Sequence, residues 1–367
     1  MPNVAEWVCH LEAFAPLATA ASWDNVGLLL GDHGSRCDRA MTCLTITNDV
    51  VEEAVDERVE LIVAHHPILF KGAKNLSDGT TEGRLLQPLM RAGIAVYSPH
   101  TAFDNCPGGI NDGLAARLGL QNVRPLRSKD SAPDYKLVAF VPKADLIAVS
   151  DAVFAAGGGV LGGYEQCSFR SPGKGTFFGM AGTNPTIGQR GHREVVPELR
   201  VEFLVPESKL IAAVAGLRNA HSYEEPAFDL YPLKPKRGTA GEGRIGELGA
   251  AMPLREFAAL VKHACRASAI QFVGASDRPV KIVALACGAA GEYLQDALRA
   301  EADAFVTGEA RFHELLTAEA AGIVLVLPGH YASERPGVED LAERLKKAFP
   351  SSEVWASRYE RDPLTSV

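Results

Sequence analysis

The sequence lacks any apolar run approaching the roughly 18 residues needed to cross a bilayer, which excludes a membrane-spanning helix. It lacks positive charge: 37 Lys and Arg stand against 45 Asp and Glu, for a formal charge of -8, which argues against non-specific binding of nucleic acid. The start, from Met1 to Glu6, has neither a basic region nor a hydrophobic one, so no signal peptide is expected. Cysteine is sparse and scattered. Seven residues at 9, 37, 43, 106, 167, 265 and 287 form no CxxC pair, which fits reduced thiols in a cytoplasmic protein better than a disulfide framework or a cysteine-rich zinc site. No GxxxxGK[ST] segment is present, so Gly157 to Gly163 and Pro172-Gly173-Lys174-Gly175-Thr176 are read as turns rather than phosphate loops.

What is present is α/β alternation over a chain too long for one ordinary core. Asn3 is placed to cap a helix with the apolar stripe Val4, Trp7, Val8 and Leu11. Strands are expected at Met41 to Thr47, Leu61 to Ala64 and Ile94 to Tyr97, with helices at Val50 to Arg58, Glu82 to Arg91 and Ile110 to Leu118. Such an order implies βαβ units and a largely parallel sheet. From Arg124 to Pro133 the composition turns polar and reads as a linker. Beyond it, strands are expected at Lys136 to Val141, Glu165 to Phe169, Gly175 to Met180, Leu199 to Val205 and Ala227 to Leu233, with helices at Lys143 to Ala156 and Glu207 to Asn219. That order suggests an inserted α+β module of ferredoxin-like type. A second linker is expected from Lys234 to Gly243, after which the alternation resumes to Lys347. Thr45 to His66 and Leu285 to Glu309 share an order of elements. The expected fold class is therefore α/β: two similar halves (1–124 and 243–367) forming one body, with the insert at 134–234 between them.

Three polar clusters sit at expected strand ends, where open α/β sheets build their sites. The first is His65-His66-Pro67, directly after the apolar run Leu61 to Ala64. Adjacent side chains on a strand point apart, so either the chain bends there or the two rings serve two centres. The second is His100-Thr101-Ala-Phe-Asp104. The third is Gly329-His330-Tyr-Ala-Ser-Glu334, where a helix start by Tyr331 puts His330 and Glu334 on one face. Together they offer His65, His66, Asp104, His330 and Glu334: three imidazoles and two carboxylates. One ion takes three or four protein ligands, so five ligands with one bridging carboxylate fit two ions better than one. Two ions about 3.5–4 Å apart can act jointly on one water. Nitrogen and oxygen donors suit Zn, Mn, Fe, Co or Ni.

In order along the chain, Trp23-Asp24-Asn25-Val-Gly27-Leu, His65-His66-Pro67, His100-Thr101-x-x-Asp104, Thr307-Gly308-Glu309 and Gly329-His330-Tyr331-x-Ser333-Glu334 resemble the Nif-three-like dinuclear metal-centre family, the GTP cyclohydrolase 1 type 2 homologues. Within the insert, Phe140-Val141-Pro142, Gly162-Gly163-Tyr164-x-x-Cys167-Ser168-Phe169 and His221-x-Tyr223-Glu224-Glu225-Pro226 resemble the CutA-like or PII-like central domain of its longer bacterial members. The resemblance implies that His65, His66, Asp104, His330 and Glu334 ligate two divalent ions per chain, zinc foremost. It implies that Glu334 bridges, that His66 and Asp104 hold one ion, and that His65 and His330 hold the other. It implies a homohexamer with the inserts capping a cavity, and a small-molecule, nucleotide-like substrate, as in hydrolytic opening of the GTP imidazole ring with loss of formate. A phosphoester hydrolase would need the same ligands, and a non-catalytic metal-binding scaffold is the alternative. One departure is visible: an Asp-x-Thr turn is expected where the chain has Thr45-Ile-Thr47.

His100 and His313 are candidates to orient a water or act as acid and base. Asp24 and Asn25 are candidates for the mouth of the site, or for turn and cap roles. Cys106 reads as an ordinary thiol. His221-Ser-Tyr223-Glu224-Glu225 is open between a ligand contact and a polar cluster at a strand edge.

Overall fold

The computed structural model describes residues 2–73, 75–130, 133–235 and 237–365, with nothing described for the side chain of residue 237. In chain order the elements begin with α1 (Val4–Phe14), β1 (Gly27–Leu30), β2 (Arg39–Cys43), α2 (Asn48–Asp56), β3 (Leu61–Ala64) and α3 (Thr81–Ala92). They continue with β4 (Ala95–Ser98), α4 (His100–Asn105), α5 (Ile110–Arg117) and β5 (Gln121–Asp130). Next come β6 (Asp134–Val141), α6 (Leu146–Ala155), β7 (Phe169–Phe178), β8 (Arg193–Pro206), α7 (Leu210–Ala220) and β9 (Phe228–Pro232). The remainder is β10 (Arg237–Pro253), α8 (Leu254–Cys265), β11 (Gln271–Val273), β12 (Pro279–Ala286), α9 (Leu294–Arg299), β13 (Ala304–Thr307), α10 (Phe312–Ala321), β14 (Val324–Leu327), α11 (His330–Ala348) and β15 (Glu353–Ala356). The chain divides into two compact units, residues 1–129 with 238–367, and residues 130–237. Among the described residues no helix is long and apolar enough to cross a membrane. All seven cysteines are free thiols.

The first unit holds two sheets. One has the order β1-β4-β3-β2-β15, with β4, β3, β2 and β15 parallel and β1 antiparallel at the edge. The other has the order β11-β14-β13-β12-β10-β5, with β14, β13 and β12 parallel and β11 and β10 antiparallel. Both are covered on both faces, which is why their parallel strands read as unbroken apolar runs. Successive residues of β3 feed opposite cores: Leu61 and Val63 pack with Trp7 and Leu345, while Ile62 and Ala64 pack with Val50 and Leu89. The second sheet repeats the device. Val283 and Leu285 of β12 pack with Phe257 and Val261, and Ala284 and Ala286 pack with Leu294 and Phe305. Helix α11 contributes Ala332 to a core of the second sheet and Leu341, Ala342 and Leu345 to a core of the first. Truncating a buried leucine such as Leu341 or Leu345 to alanine is expected to cost about 2–5 kcal/mol.

The second unit follows the order β-α-β-β-α-β, with sheet order β7-β8-β6-β9 and antiparallel pairing throughout. Helices α6 and α7 cover one face, packing Val149, Val153, Ala213 and Leu217 on Leu137, Val201 and Phe203.

Several expectations fail locally. The two segments expected as linkers are occupied by β5 and the start of β10; Ser131, Ala132 and Lys236 of those expected linkers lie outside the described residues. β5 is an edge strand with mostly exposed side chains, so it carries Pro125 and polar residues without losing its ladder. Pro172 to Thr176 is not a turn but the middle of β7, also an edge strand. The strand expected at Glu165 begins only at Phe169.

Candidate metal centre

Three chain segments converge at the carboxyl ends of the parallel strands. β3 ends at Ala64, and the chain bends at His65 and His66, whose amides donate to Cys43 and Leu44 carbonyls at 2.9 and 2.8 Å. The bend brings the two rings to a centroid distance of 5.2 Å, so both face one centre. β4 leads into α4, which starts at His100 with a φ of 25°, a conformation seldom adopted outside glycine. Asp104 lies one turn on. β14 leads through Gly329 into α11, whose first residue is His330, so His330 and Glu334 share a helix face as their spacing predicts.

Glu334 is the hub. Its Oε2 lies 3.2 Å from His66 Nε2 and 3.0 Å from His330 Nε2. Its Oε1 lies 3.8 Å from His65 Nε2, which in turn is 3.5 Å from Asp104 Oδ1. The geometry thus sets His65 beside Asp104, and His66 beside His330, the reverse of the pairing implied by resemblance. Two glycines make room for the hub. A Cβ on Gly288, which has a φ of 71°, would stand 2.2 Å from Glu334 Oε1. One on Gly308 would stand 2.7 Å from Ser333 Oγ, which accepts from the Gly288 amide and donates to the His330 carbonyl.

The imidazoles are aimed by contacts on their other nitrogens, as metal-ligating histidines usually are. Thr45 Oγ1 is 2.7 Å from His66 Nδ1, so the sequence departure at Thr45 still supplies a partner. Glu309 Oε1 is 3.0 Å from His330 Nδ1. His65 has no such contact among the described residues; its carbonyl is held by Ser98 Oγ at 2.7 Å. His100 Nδ1 lies 2.8 Å from Asp24 Oδ1, and Asp24 also accepts from the Thr101 hydroxyl and amide. Asp24 thus combines the expected roles: it satisfies the Asn25 amide in its own turn and an amide in the first turn of α4 while it holds His100. Desolvation alone would raise it, but His100 and Thr101 bring it down to about 2.

Polar atoms left without hydrogen-bond partners mark the centre. His65 Nε2, His330 Nε2, Asp104 Oδ1 and Glu334 Oε2 are buried and, close as they lie to one another, make no well-directed hydrogen bond among the described residues. Buried polar groups are normally satisfied, so a cluster of orphans converging on one point calls for a ligand. His65, His66 and His100 form one group with donor atoms within 4.8 Å of each other, and His66, His330 and Glu334 form another. Desolvation keeps His65 neutral by pushing its pKa well down, and the neighbouring histidines add to this while Glu334 opposes it. Desolvation also lifts Asp104 to about 8, opposed by His100 and reinforced by Glu334. Desolvation would raise Glu334 too, but the imidazoles of His330, His66 and His65 outweigh it and hold the carboxyl far below its usual range. The contact with Glu334 lifts His330 to about 9. A metal ion competes for these lone pairs with protons. Neutral imidazoles, carboxylates and no thiolate contact form a donor set that fits Zn, Mn, Fe, Co or Ni.

The cluster opens onto a cavity of about 320 Å³, whose lining includes Trp23, His100, Arg127, Glu242, Tyr293 and Cys287. Trp23 is 62% exposed at the rim, with the rings of Phe70 and His100 at 5.8 and 6.1 Å. On the wall, the Arg127 guanidinium lies 4.8 Å from the Tyr293 ring centroid and is held by Asp296 at 2.5 Å and Glu242 at 2.9 Å.

The five ligands expected from the sequence therefore fall together, and His100 joins them. His313 does not. It is exposed on α10, in ring contact with Phe312, and does not line the cavity. The carboxylate that serves His330 is instead Glu309, visible in the Thr307-Gly308-Glu309 motif but not singled out. Arg127 and Tyr293 carry no sequence signal. Cys106 is buried in the core, and its thiol donates to the Phe103 carbonyl.

Comparison with known proteins gives a consistent picture. The family model described as Duf34/NIF3 (NGG1p interacting factor 3) matches residues 2–363. A "GTP cyclohydrolase 1 type 2 homolog" of Halalkalibacterium halodurans is 38% identical over 359 residues, covering 97% of this chain and 96% of that protein. One of Bacillus subtilis is 38% identical over 323 residues, covering 88% and 87%. Among solved structures, a Bacillus cereus protein related to NIF3 matches with a TM-score of 0.84 and 33% identity, covering 100% of this chain and 99% of that one.

Proposed function

The chain belongs to the Duf34/NIF3 family, and from that premise we propose that it binds two divalent metal ions through His65, His66, Asp104, His330 and Glu334 and hydrolyses a nucleotide-like substrate. The observation that carries this reading is the division of labour at Glu334: one oxygen faces His66 and His330, and the other faces His65, itself beside Asp104. Each group offers three protein donors once Glu334 is shared, which leaves positions for solvent or substrate on both sides. When bound, a pair of divalent ions supplies Lewis acidity and lowers the pKa of a coordinated water.

The remaining work falls to the chain's own side chains. His100, held through Nδ1 by Asp24, presents Nε2 to the cavity and is assigned the proton transfer. The cavity lies at the lower end of the range for small-molecule sites, and the Trp23 ring at its rim, backed by Phe70, suits stacking on a flat heterocycle. The β-α-β-β-α-β order of the second unit supports the ferredoxin-like, PII-like reading of the insert. A ring-shaped homohexamer is proposed with it, to be checked by light scattering coupled to size exclusion.

The test is turnover of GTP and of model phosphoesters by metal-loaded protein, with and without chelator, beside Glu334→Gln. Chelator-sensitive turnover that Glu334→Gln abolishes is the expected result. Full metal loading with no turnover of any substrate on the panel would overturn the hydrolase and leave a metal-binding scaffold.

A further inference from the structure

A larger cavity, about 530 Å³, lies wholly within the second unit and plays no part in the metal centre. Side chains alternate across a strand, and Leu137, Ala139, Val201 and Phe203 face α6 and α7. Phe140, Glu198 and Arg200 therefore face the other way; Phe140 pairs with Arg200, and on the other side Arg200 and Glu198 stand opposite Ser171 and Gly173 of β7, with Gly175 two residues further along, opposite Val196. The two glycines leave a depression in this face. A Cβ on Gly175 would stand 2.1 Å from Glu198 Oε2, so the carboxylate occupies the space that the missing side chain provides.

The wall is built by the segment the sequence left open. His221 is a bracket: its Nδ1 accepts from the Tyr223 amide and its Nε2 donates to the Phe140 carbonyl, each at 3.1 Å. Asp145 holds the Ser222 amide at 3.0 Å. Glu224 holds the Asn184 amide at 2.9 Å, and Thr186 donates to the Ser222 carbonyl at 2.7 Å, drawing the loop after β7 over the site. So fixed, Tyr223 lines the cavity with its ring 6.5 Å from that of Phe177.

Two polar groups in this largely apolar enclosure, the Tyr223 hydroxyl and the Glu198 carboxylate, stand beside each other, and the phenol is the carboxylate's neighbour rather than a counter-charge. The Tyr223 hydroxyl is buried with no hydrogen bond among the described residues. Burial first, and then the neighbouring Glu198 carboxylate, push its pKa up to about 12, so it stays a neutral phenol. Two cations line the cavity: Arg200 is engaged with Glu202 at 3.0 Å, and neither it nor Lys174 forms an ion pair with Glu198 among the described residues. A carboxylate and a phenol oxygen that share an apolar enclosure ask for a cation with several N–H donors, since a half-buried charge is costly unpaired. Aromatic faces beside it favour the same charge.

We propose that this cavity binds a small organic cation with a flat apolar body, an arylalkylamine in the simplest case, with Glu198 and the Tyr223 oxygen meeting the ammonium and Phe140 and Phe177 the ring. The proposal is independent of the hydrolase reading, because all of its residues lie in the other unit.

Isothermal titration of the full chain with tryptamine and with indole-3-propionate, equal in ring and opposite in charge, tests it. Saturable tryptamine binding, at least about ten-fold tighter than indole-3-propionate, is expected from a charge-assisted contact. Glu198→Gln should weaken tryptamine by about ten-fold or more and level the two compounds. Tyr223→Phe, which keeps the ring, should weaken tryptamine by less than Glu198→Gln. Equal or tighter binding of indole-3-propionate, absence of saturable tryptamine binding up to millimolar concentration, or unchanged binding in Glu198→Gln would each overturn the proposal. Circular dichroism and metal content matching the wild type certify that the variants fold.

Discussion

Replacing Arg244 by methionine should be the most damaging single change away from the candidate metal ligands. Its guanidinium is 1% exposed and grips Asp112 with two parallel bonds, Nε to Oδ1 at 2.7 Å and Nη2 to Oδ2 at 2.9 Å. The same group donates to the carbonyls of Gly241, Gly243 and Cys106 at 2.7 to 2.8 Å. It thus ties β10 to α5 and to the residue that ends α4, two positions past Asp104. Breaking a buried pair by removing one partner costs about 3–5 kcal/mol. Asp112 is about a quarter exposed and keeps the Gly108 amide at 2.7 Å, which lowers that figure. The three abandoned carbonyls restore it, at about 1 kcal/mol each and not fully additive. The expected loss is about 3–5 kcal/mol, or more than about 1 M in urea midpoint for a slope near 3 kcal/mol/M. The assay isolates the right unit, because all three tryptophans, Trp7, Trp23 and Trp355, lie in the first one. Their fluorescence follows its unfolding alone. Adding Asp112→Leu should recover part of the loss, since no buried charge is then left alone. A loss below about 1 kcal/mol, or a double variant worse than the sum of the singles, would refute the reasoning.

Three further outcomes are expected. Glu53 is 2% exposed and accepts from Ser357, Trp355 and the amides of Arg358 and Tyr359. Burial would raise its carboxyl, but these donors prevail and hold it below the usual range. A depressed native pKa gives stability that is present above the unfolded value of about 4.3 and lost as pH falls through the native value. Glu53→Gln should therefore cost about 1–3 kcal/mol at pH 7, with the deficit shrinking below about pH 4; a pH-independent deficit in urea midpoints would contradict this. Asp24→Asn should keep its metal and lower turnover about 10–100-fold by releasing His100, and a fall in metal content instead would make Asp24 a support of the ligands. His66→Ala should lower metal content while leaving the circular dichroism spectrum intact, and wild-type loading would remove His66 from the ligand set.

The candidate metal centre is legible because its residues stand at the ends of short apolar runs, Leu61 to Ala64 before His65 and Val324 to Leu327 before His330. Their periodicity, the helical spacing of His330 and Glu334, and the family motifs all pointed to one place. The partners of the histidines were harder to see. Glu309 meets His330 from 21 positions away and Asp24 meets His100 from 76, contacts that no local pattern encodes. His313 misled because its helix turns it to solvent, and one imidazole on an amphipathic segment looks like any other. Arg244 and Arg127 stand in or beside Gly- and Pro-bearing stretches that read as linkers, yet β5 is an edge strand that tolerates such composition and β10 is the strand beside it, between β5 and β12. β15 was missed for a different reason. It has four residues, and its partner β2 lies more than 300 positions earlier, joined in parallel from Glu353↔Arg39 to Ala356↔Thr42.

Anomalous diffraction from crystals of the zinc-loaded protein is the most direct measurement of the central claim. Two peaks per chain flanking Glu334 are predicted, one within about 2.0–2.2 Å of His65 Nε2 and an Asp104 oxygen, the other equally close to His66 Nε2 and His330 Nε2. A single peak, or none beside Glu334, would contradict the two-ion centre.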